Sequence, residues 1–202
     1  MNIKKYKTII FDCDGVILNS NKIKTDSFRK TLKNFDINLV DEFILFHKEN
    51  GGISRYEKIK YFLNVLVPKY DISSNLENDT YEELIKKYGL ICKKSLMEVE
   101  ITCGLNLFRN HTANAKWLLV SGGDQVELRE LFNIKKINHY FNGGIYGSPD
   151  TKNEIIKREK LNNNIQNPTL FIGDSKLDYV AAKSNSLDFV FLTEWTDFKK
   201  YK

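Results

Sequence analysis

Two kinds of apolar pattern divide this chain. Unbroken runs at residues 8–11 (T-I-I-F), 117–120 (W-L-L-V), 169–172 (T-L-F-I) and 189–192 (F-V-F-L) each stop at small or polar residues, and a shorter run lies at 144–146. Runs without polar alternation suit strands buried on both faces, as in a parallel sheet. Helical patterns at 125–132, 149–160 and 177–184 separate them. Ser148 followed by Pro149 reads as an N-cap and the first helical position of the second of these. Alternating β and α segments predict an α/β fold with a three-layer, mostly parallel sheet.

Residues 21–100 break the alternation. Thr80-Tyr81-Glu82-Glu83 is a capping box, and Tyr81, Leu84, Ile85, Tyr88, Cys92 and Leu96 follow it at helical spacing. Ser54-Arg55-Tyr56-Glu57 reads as a second box, opening a helix with Tyr56, Ile59, Phe62, Leu63 and Leu66 on one side. Segments 24–35 and 41–47 also read as helices. The expected organisation is therefore a core of residues 1–20 and 101–202, interrupted after its first strand by an all-helical insertion of residues 21–100. The sequence has no internal repeat and no low-complexity linker.

At 202 residues, 42% of them hydrophobic, the chain is large enough for one packed core carrying such an insertion. Its net charge of +5 raises the question of nucleic acid. The lysines, however, come as scattered pairs (Lys4-Lys5, Lys86-Lys87, Lys93-Lys94, Lys135-Lys136, Lys199-Lys200) with no basic block interleaved with aromatics. Solvated helix faces account for them, and no nucleic-acid partner is expected. Cys13, Cys92 and Cys103 have neither C-x-x-C spacing nor a zinc pattern, which fits reduced thiols in a cytoplasm. Cys13 is expected to pack on the strand face away from its two aspartate neighbours. Without a signal-peptide pattern or a run of membrane-spanning length, the expectation is a soluble cytoplasmic protein with no membrane partner. The oligomeric state has no signature in the sequence.

The acids and bases at the ends of the apolar runs carry the chemistry. Asp12 and Asp14 (D-C-D-G) follow the first run, and Ser121 (S-G-G-D) follows the second. Lys152 lies in a first helical turn, and Asp174 and Asp178 (G-D-S-K-L-D) follow the third long run. Strand ends of a doubly wound sheet converge on one edge, where ligands bind. A cation in a helix's first turn opposes the macrodipole, so Lys152 calls for a counter-charge. Asp178 has a second reading as a helix N-cap or as the group that orients Lys152 or a bound water. Ser121 likewise has one as the N-cap of the 125–132 helix.

This ordered set resembles the four motifs of the haloacid dehalogenase-like (HAD) phosphohydrolase superfamily, over residues 9 to about 192. The insertion resembles the helical cap of its phosphoglycolate-phosphatase-like and β-phosphoglucomutase-like members, on a Rossmann-like core. The resemblance implies a Mg²⁺-dependent phosphatase acting on a small phosphorylated metabolite such as a sugar phosphate, phosphoglycolate or nucleotide. In it Asp12 attacks phosphorus and forms an aspartyl-phosphate, and Asp14 protonates the leaving alkoxide and then activates water. Ser121, helped by Gly122, and Lys152 hold the phosphoryl oxygens. Mg²⁺ is held by Asp12, Asp174, Asp178 and the backbone carbonyl of Asp14.

The chemistry agrees with these roles. An anionic nucleophile must approach a dianionic ester, and each cation beside it at ~4 Å contributes about 4 kcal/mol at an effective dielectric near 20. Mg²⁺ favours such hard oxygen ligands. A poor alkoxide leaving group needs a positioned acid. Asp14 therefore argues against dehalogenase chemistry, while a phosphomutase or a non-catalytic phosphometabolite-binding module stays open. The segment from His47 and Lys48 through Gly51-Gly52 to Arg55 reads either as a cap loop selecting substrate or as an interhelical turn with solvated charges. K-S-N-S at 183–186 departs from the family, which often has a small residue and glycine there; the roles of Asn19 and Ser20 stay open.

Overall fold

A computed structural model describes residues 2–70 and 80–197 of the chain; the Lys199-Lys200 pair lies outside them. Five strands, β1 (Thr8–Phe11), β2 (Lys116–Asp124), β3 (Ile145–Ser148), β4 (Thr169–Gly173) and β5 (Asp188–Phe191), form one sheet in the order β3-β2-β1-β4-β5. Every pairing is parallel. Successive residues of a strand face opposite sides, and here both sides are covered. Ile9, Phe11, Trp117, Leu119, Leu170 and Ile172 pack into one apolar cluster, with residues of α6 (Leu105–His111) and α7 (Gln125–Ile134). Ile10, Leu118, Val120 and Phe171 pack into another, with α8 (Lys152–Leu161) and α9 (Lys176–Ser184). The result is a Rossmann-like three-layer α/β core. Phe171 is fully buried in it, and truncation to alanine there is expected to cost about 3–5 kcal/mol.

The chain runs outward from β1 to β2 and β3, then returns to the other side of β1 for β4 and β5. This reversal leaves a crevice at the carboxyl ends of β1 and β4, the place where open α/β sheets bind ligands.

Between β1 and α6 the described residues form α1 (Asn21–Thr31), α2 (Ile37–Glu49), α3 (Arg55–Tyr61), a single-turn α4 (Val67–Lys69) and α5 (Tyr81–Leu96). A π-helical turn at Phe62–Leu66 joins α3 to α4. They have their own core, in which Phe28, Phe43 and Phe62 meet edge to face at centroid distances of 5.1 and 5.2 Å. The two connections to the sheet are hydrogen-bonded to each other, Asn19 N to Glu100 O at 3.0 Å and Thr102 N to Ile17 O at 2.9 Å. No helix among the described residues is long and apolar enough to cross a membrane.

Several expected boundaries move. Ser148 closes β3 rather than capping a helix; Thr151 caps α8 instead, in a reciprocal box with Glu154 that satisfies two backbone donors. β2 continues through Ser121 to Asp124 across a register shift, so Asp124, not Ser121, caps α7. α2 begins at Ile37, where Asp36 accepts from two amides, and α1 covers Asn21–Thr31 rather than 24–35. The box at Ser54 is half made: its hydroxyl accepts from Glu57 N at 3.3 Å, while the Glu57 carboxylate pairs with Lys60 at 3.0 Å. The expected box at Thr80 is complete. α6, for which the pattern carried no expectation, fills one face of the sheet.

Candidate active site

The last residue of β1 hands the chain to Asp12 at the crevice. Asp12 is buried, and its Oδ1 accepts from Cys13 N at 2.7 Å and meets Lys152 Nζ at 2.8 Å. Its Oδ2 takes no hydrogen bond among the described residues. Cys13 points away into the core beneath the sheet, as expected.

Lys152, at the first position of α8, reaches across β1 and β4 to a second carboxylate, Asp178 Oδ1. Asp178 Oδ2 accepts from Asp174 N at 3.2 Å, Ser175 N at 3.0 Å and Ser175 Oγ at 2.7 Å. Both readings of Asp178 therefore meet in one side chain, which closes the N-terminus of α9 and holds Lys152. Asp174 follows β4; its Oδ2 accepts from Asn21 Nδ2 at 2.9 Å and its carbonyl from Thr196 Oγ1 at 2.5 Å. Gly15 (φ +72°) makes this possible, since a β-carbon there would fall 2.0 Å from Asp174 Oδ2.

Asp12, Asp174 and Asp178 bring ligand atoms within 4.8 Å of one another. Burial, reinforced by Asp178, pushes the Asp12 carboxyl up to about 7 against the pull of Lys152. Burial, with Asp12 and Asp178, pushes Asp174 up to about 8. Lys152 goes up as well: its burial would lower it, but the two carboxylates outweigh that. Three buried acids around one ammonium leave an excess of negative charge, and every free donor is a hard oxygen. The set fits a divalent cation such as Mg²⁺.

Asp14 turns toward the helical insert. Its Oδ1 accepts from Ser20 Oγ at 2.5 Å, and its Oδ2 pairs with Lys24 in the first turn of α1. Burial favours the neutral acid, but Lys24 and the Ser20 hydroxyl prevail and hold Asp14 below the usual carboxylate range. Ser20 precedes α1 without capping it; its hydroxyl donates to Asp14 instead.

On the other side of the crevice Ser121 is fully buried, its Oγ accepting from Gly123 N at 3.1 Å. The loop at Gly51-Gly52 lies directly over Gly122 and Ser175. Lys48 is exposed at the cavity rim. His47 is buried among the insert's helices, its ring bonded to Thr25 Oγ1 (3.1 Å) and Lys58 Nζ (2.7 Å). Arg55 does not stand free: its guanidinium clasps Glu127 of α7 through both terminal nitrogens, one bond at 3.1 Å. Beside it Tyr56 donates to Asp124 Oδ2 at 2.8 Å.

Core and insert thus enclose a cavity of about 100 Å³ with Asp12, Asp14 and Asp174 at one end. Sequence reasoning noted Ser20 with its role open and did not single out Asn21, Lys24, Lys58 or Thr196. For Lys24 the signal was present, since the macrodipole argument applied to Lys152 holds equally for a lysine in the first turn of α1.

Residues 9–192 match the family model of the haloacid dehalogenase-like hydrolases. A predicted phosphoglycolate phosphatase from Haemophilus somnus 129PT is similar in structure, with a TM-score of 0.73, 18% identity, and 95% of this chain and 87% of that one covered. A predicted phosphatase from Clostridium acetobutylicum gives 0.71 at 19% identity, covering 97% and 88%. A haloacid dehalogenase-like family hydrolase from Streptococcus pneumoniae gives 0.68 at 19% identity, covering 98% and 90%. No curated protein matches the chain. With the match running from β1 past β5 and the acids at the expected sheet edge, the chain belongs to the haloacid dehalogenase-like hydrolases.

Proposed function

We propose that the protein is a Mg²⁺-dependent phosphatase that cleaves a small phosphorylated metabolite through an aspartyl-phosphate on Asp12. The observation that carries this reading is the state of Asp12, which lines the cavity: one oxygen is held by Lys152, and the other is without a donor among the described residues.

Asp12 Oδ2 attacks phosphorus, the bond to the leaving oxygen breaks, and that oxygen takes a proton from the Asp14 carboxylic acid. Water then attacks phosphorus, the bond to Asp12 breaks, and orthophosphate leaves. Lys152 lies against the nucleophile to offset the phosphoryl charge, and Asp178 positions Lys152. Ser121 and the backbone amides beside it supply hydrogen bonds to phosphoryl oxygens. Asp14 is the proton-transfer group: it gives its proton to the leaving oxygen and then, as the carboxylate that Lys24 favours, takes one from the attacking water. Asp12, Asp174 and the Asp14 carbonyl would hold Mg²⁺, which would supply the remaining positive charge; Asp178, both of its oxygens engaged, holds Lys152.

Residues 21–100 serve as a cap over the crevice, and the cavity's size suits a metabolite rather than a polymer. Three free cysteines agree with a reducing, cytoplasmic setting.

The test is phosphate release from a broad panel of phosphomonoesters, with Mg²⁺ and with a chelator. Release that requires Mg²⁺ is expected from at least one small ester. Protein that binds such esters but releases no phosphate from any would contradict the reading.

A further inference from the structure

We infer that Lys58, backed by His47, forms a second anion subsite in the helical insert, which takes an oxyanion group carried by the alcohol portion of a phosphomonoester. The inference rests on the phosphatase reading for the position of the transferred phosphoryl group and deepens it by naming the class of leaving group.

Four cations with little exposed side chain lie at or beside the cavity, Lys58 and Lys152 buried and Lys24 and Arg55 half-buried. Lys152 has Asp12 and Asp178, Lys24 has Asp14, and Arg55 has Glu127. Lys58, only 3% exposed, has no carboxylate within ion-pair distance among the described residues. An ammonium has three donors. Two of them go to one residue, His47, at Nδ1 (2.7 Å) and at the backbone carbonyl (3.2 Å). Because Nδ1 accepts from Lys58, the ring proton sits on Nε2 toward Thr25 Oγ1, and His47 is neutral. The third donor of Lys58 has no partner among the described residues.

A buried charge without a counter-charge is costly, and a lysine kept there calls for an anion that arrives with a ligand. Lys58 borders the same cavity as Asp12, on the wall formed by the insert. Burial, then the charge of Lys24, lowers Lys58 to about 7, while Asp14 and Asp197 draw it upward. Lys24 is thus its electrostatic neighbour, and Lys24 is bonded to Asp14. From the nucleophile outward the order is Asp12, Asp14, Lys24, Lys58. An ester bound at Asp12 directs its alcohol portion past Asp14, the proton-transfer group, toward Lys58. Aromatic walls from Phe28 and Tyr88 exclude water there and strengthen a charge-assisted bond.

Three two-carbon esters separate the possibilities: phosphoglycolate carries a carboxylate, ethylene glycol bisphosphate a second phosphate, and 2-hydroxyethyl phosphate no second charge. The wild-type kcat/KM is expected to favour an acidic ester over the neutral one by at least about 30-fold. The preferred acid identifies carboxylate or phosphate. Lys58→Met should abolish the preference and change the neutral ester by less than about threefold, while Lys58→Arg should retain part of it. Preference for the neutral ester, or an equal loss on all three, would overturn the subsite. A binding arm is independent of turnover: calorimetry of phosphoglycolate and 2-hydroxyethyl phosphate on Asp12→Asn protein, with and without Lys58→Met. Tighter binding of the acid that disappears with Lys58→Met supports the subsite even if no ester is cleaved, the outcome that would sink the phosphatase reading alone. Equal affinities refute the subsite.

Discussion

The carbonyl oxygen of Gly52, in the helical insert, lies 2.1 Å from the place a β-carbon on Gly122 of the core would occupy. Backbone thus rests on backbone where the two halves of the molecule meet, next to Ser121. A methyl group at residue 122 has no flexible side chain to displace, so the loop itself must retreat. Gly122→Ala is expected to lower kcat/KM at least tenfold, or about 1.4 kcal/mol of barrier, with an unchanged far-UV spectrum. An alanine variant of normal kcat/KM would show that closure at this contact plays no part in turnover.

Arg55 and Glu127 provide the polar counterpart of that contact. The arginine side chain is 9% exposed and the glutamate 39%, so solvent weakens the pair, while its two-pronged geometry strengthens it. A double-mutant cycle with Arg55→Ala and Glu127→Ala should return a coupling of about 1 kcal/mol in unfolding free energy. Lysine at residue 55, lacking the fork, should recover little of it. Strict additivity would remove the latch from the account.

Lys58 gives a pH signature. Its folded-state value, near 7, lies below the 10.5 of an ordinary lysine, so between those values the unfolded chain binds more protons than the native one. Stability contributed at this site therefore increases as pH rises from about 7 toward 10.5, by up to a few kcal/mol. Urea unfolding of wild type against Lys58→Met across that range isolates the effect, because other titrating groups are common to both. A wild-type minus variant difference that stays flat with pH would mean that Lys58 carries no such strain.

Metal binding should also be visible without turnover. At a Mg²⁺ concentration 100 times its dissociation constant, a site absent from the unfolded chain adds about 2.7 kcal/mol of stability. Mg²⁺ should raise the unfolding midpoint of wild type and leave that of Asp174→Ala unmoved. An equal rise in both would place the ion elsewhere.

Much of this arrangement was legible in the sequence because parallel strands announce themselves. The unbroken runs ending at Asp12, Ser121 and Asp174 fixed both the sheet and the edge where those groups meet. Lys152 was legible through an energetic conflict, a cation at a helix N-terminus. Ser148 was misread because a Ser-Pro pair satisfies the local rules for a helix start as well as for a strand end. The better cap, Thr151 with Glu154, wins by satisfying two donors at once. Arg55 and His47 carried charge patterns that look the same whether the side chain meets solvent, substrate or another element. Their partners Glu127 and Lys58 stand 72 and 11 residues away, and nothing local encodes that encounter. Lys58 hid for the same reason: one lysine on a charged helix reads as surface until the fold buries it.

The central claim is that Asp12 attacks phosphorus, and its most direct test is the rate of Mg²⁺-supported phosphate release by Asp12→Asn against wild type on the best ester. The account predicts a fall of at least about 10³-fold, roughly 4 kcal/mol, with folding and Mg²⁺-free stability preserved. An asparagine variant that released phosphate at close to the wild-type rate would contradict it.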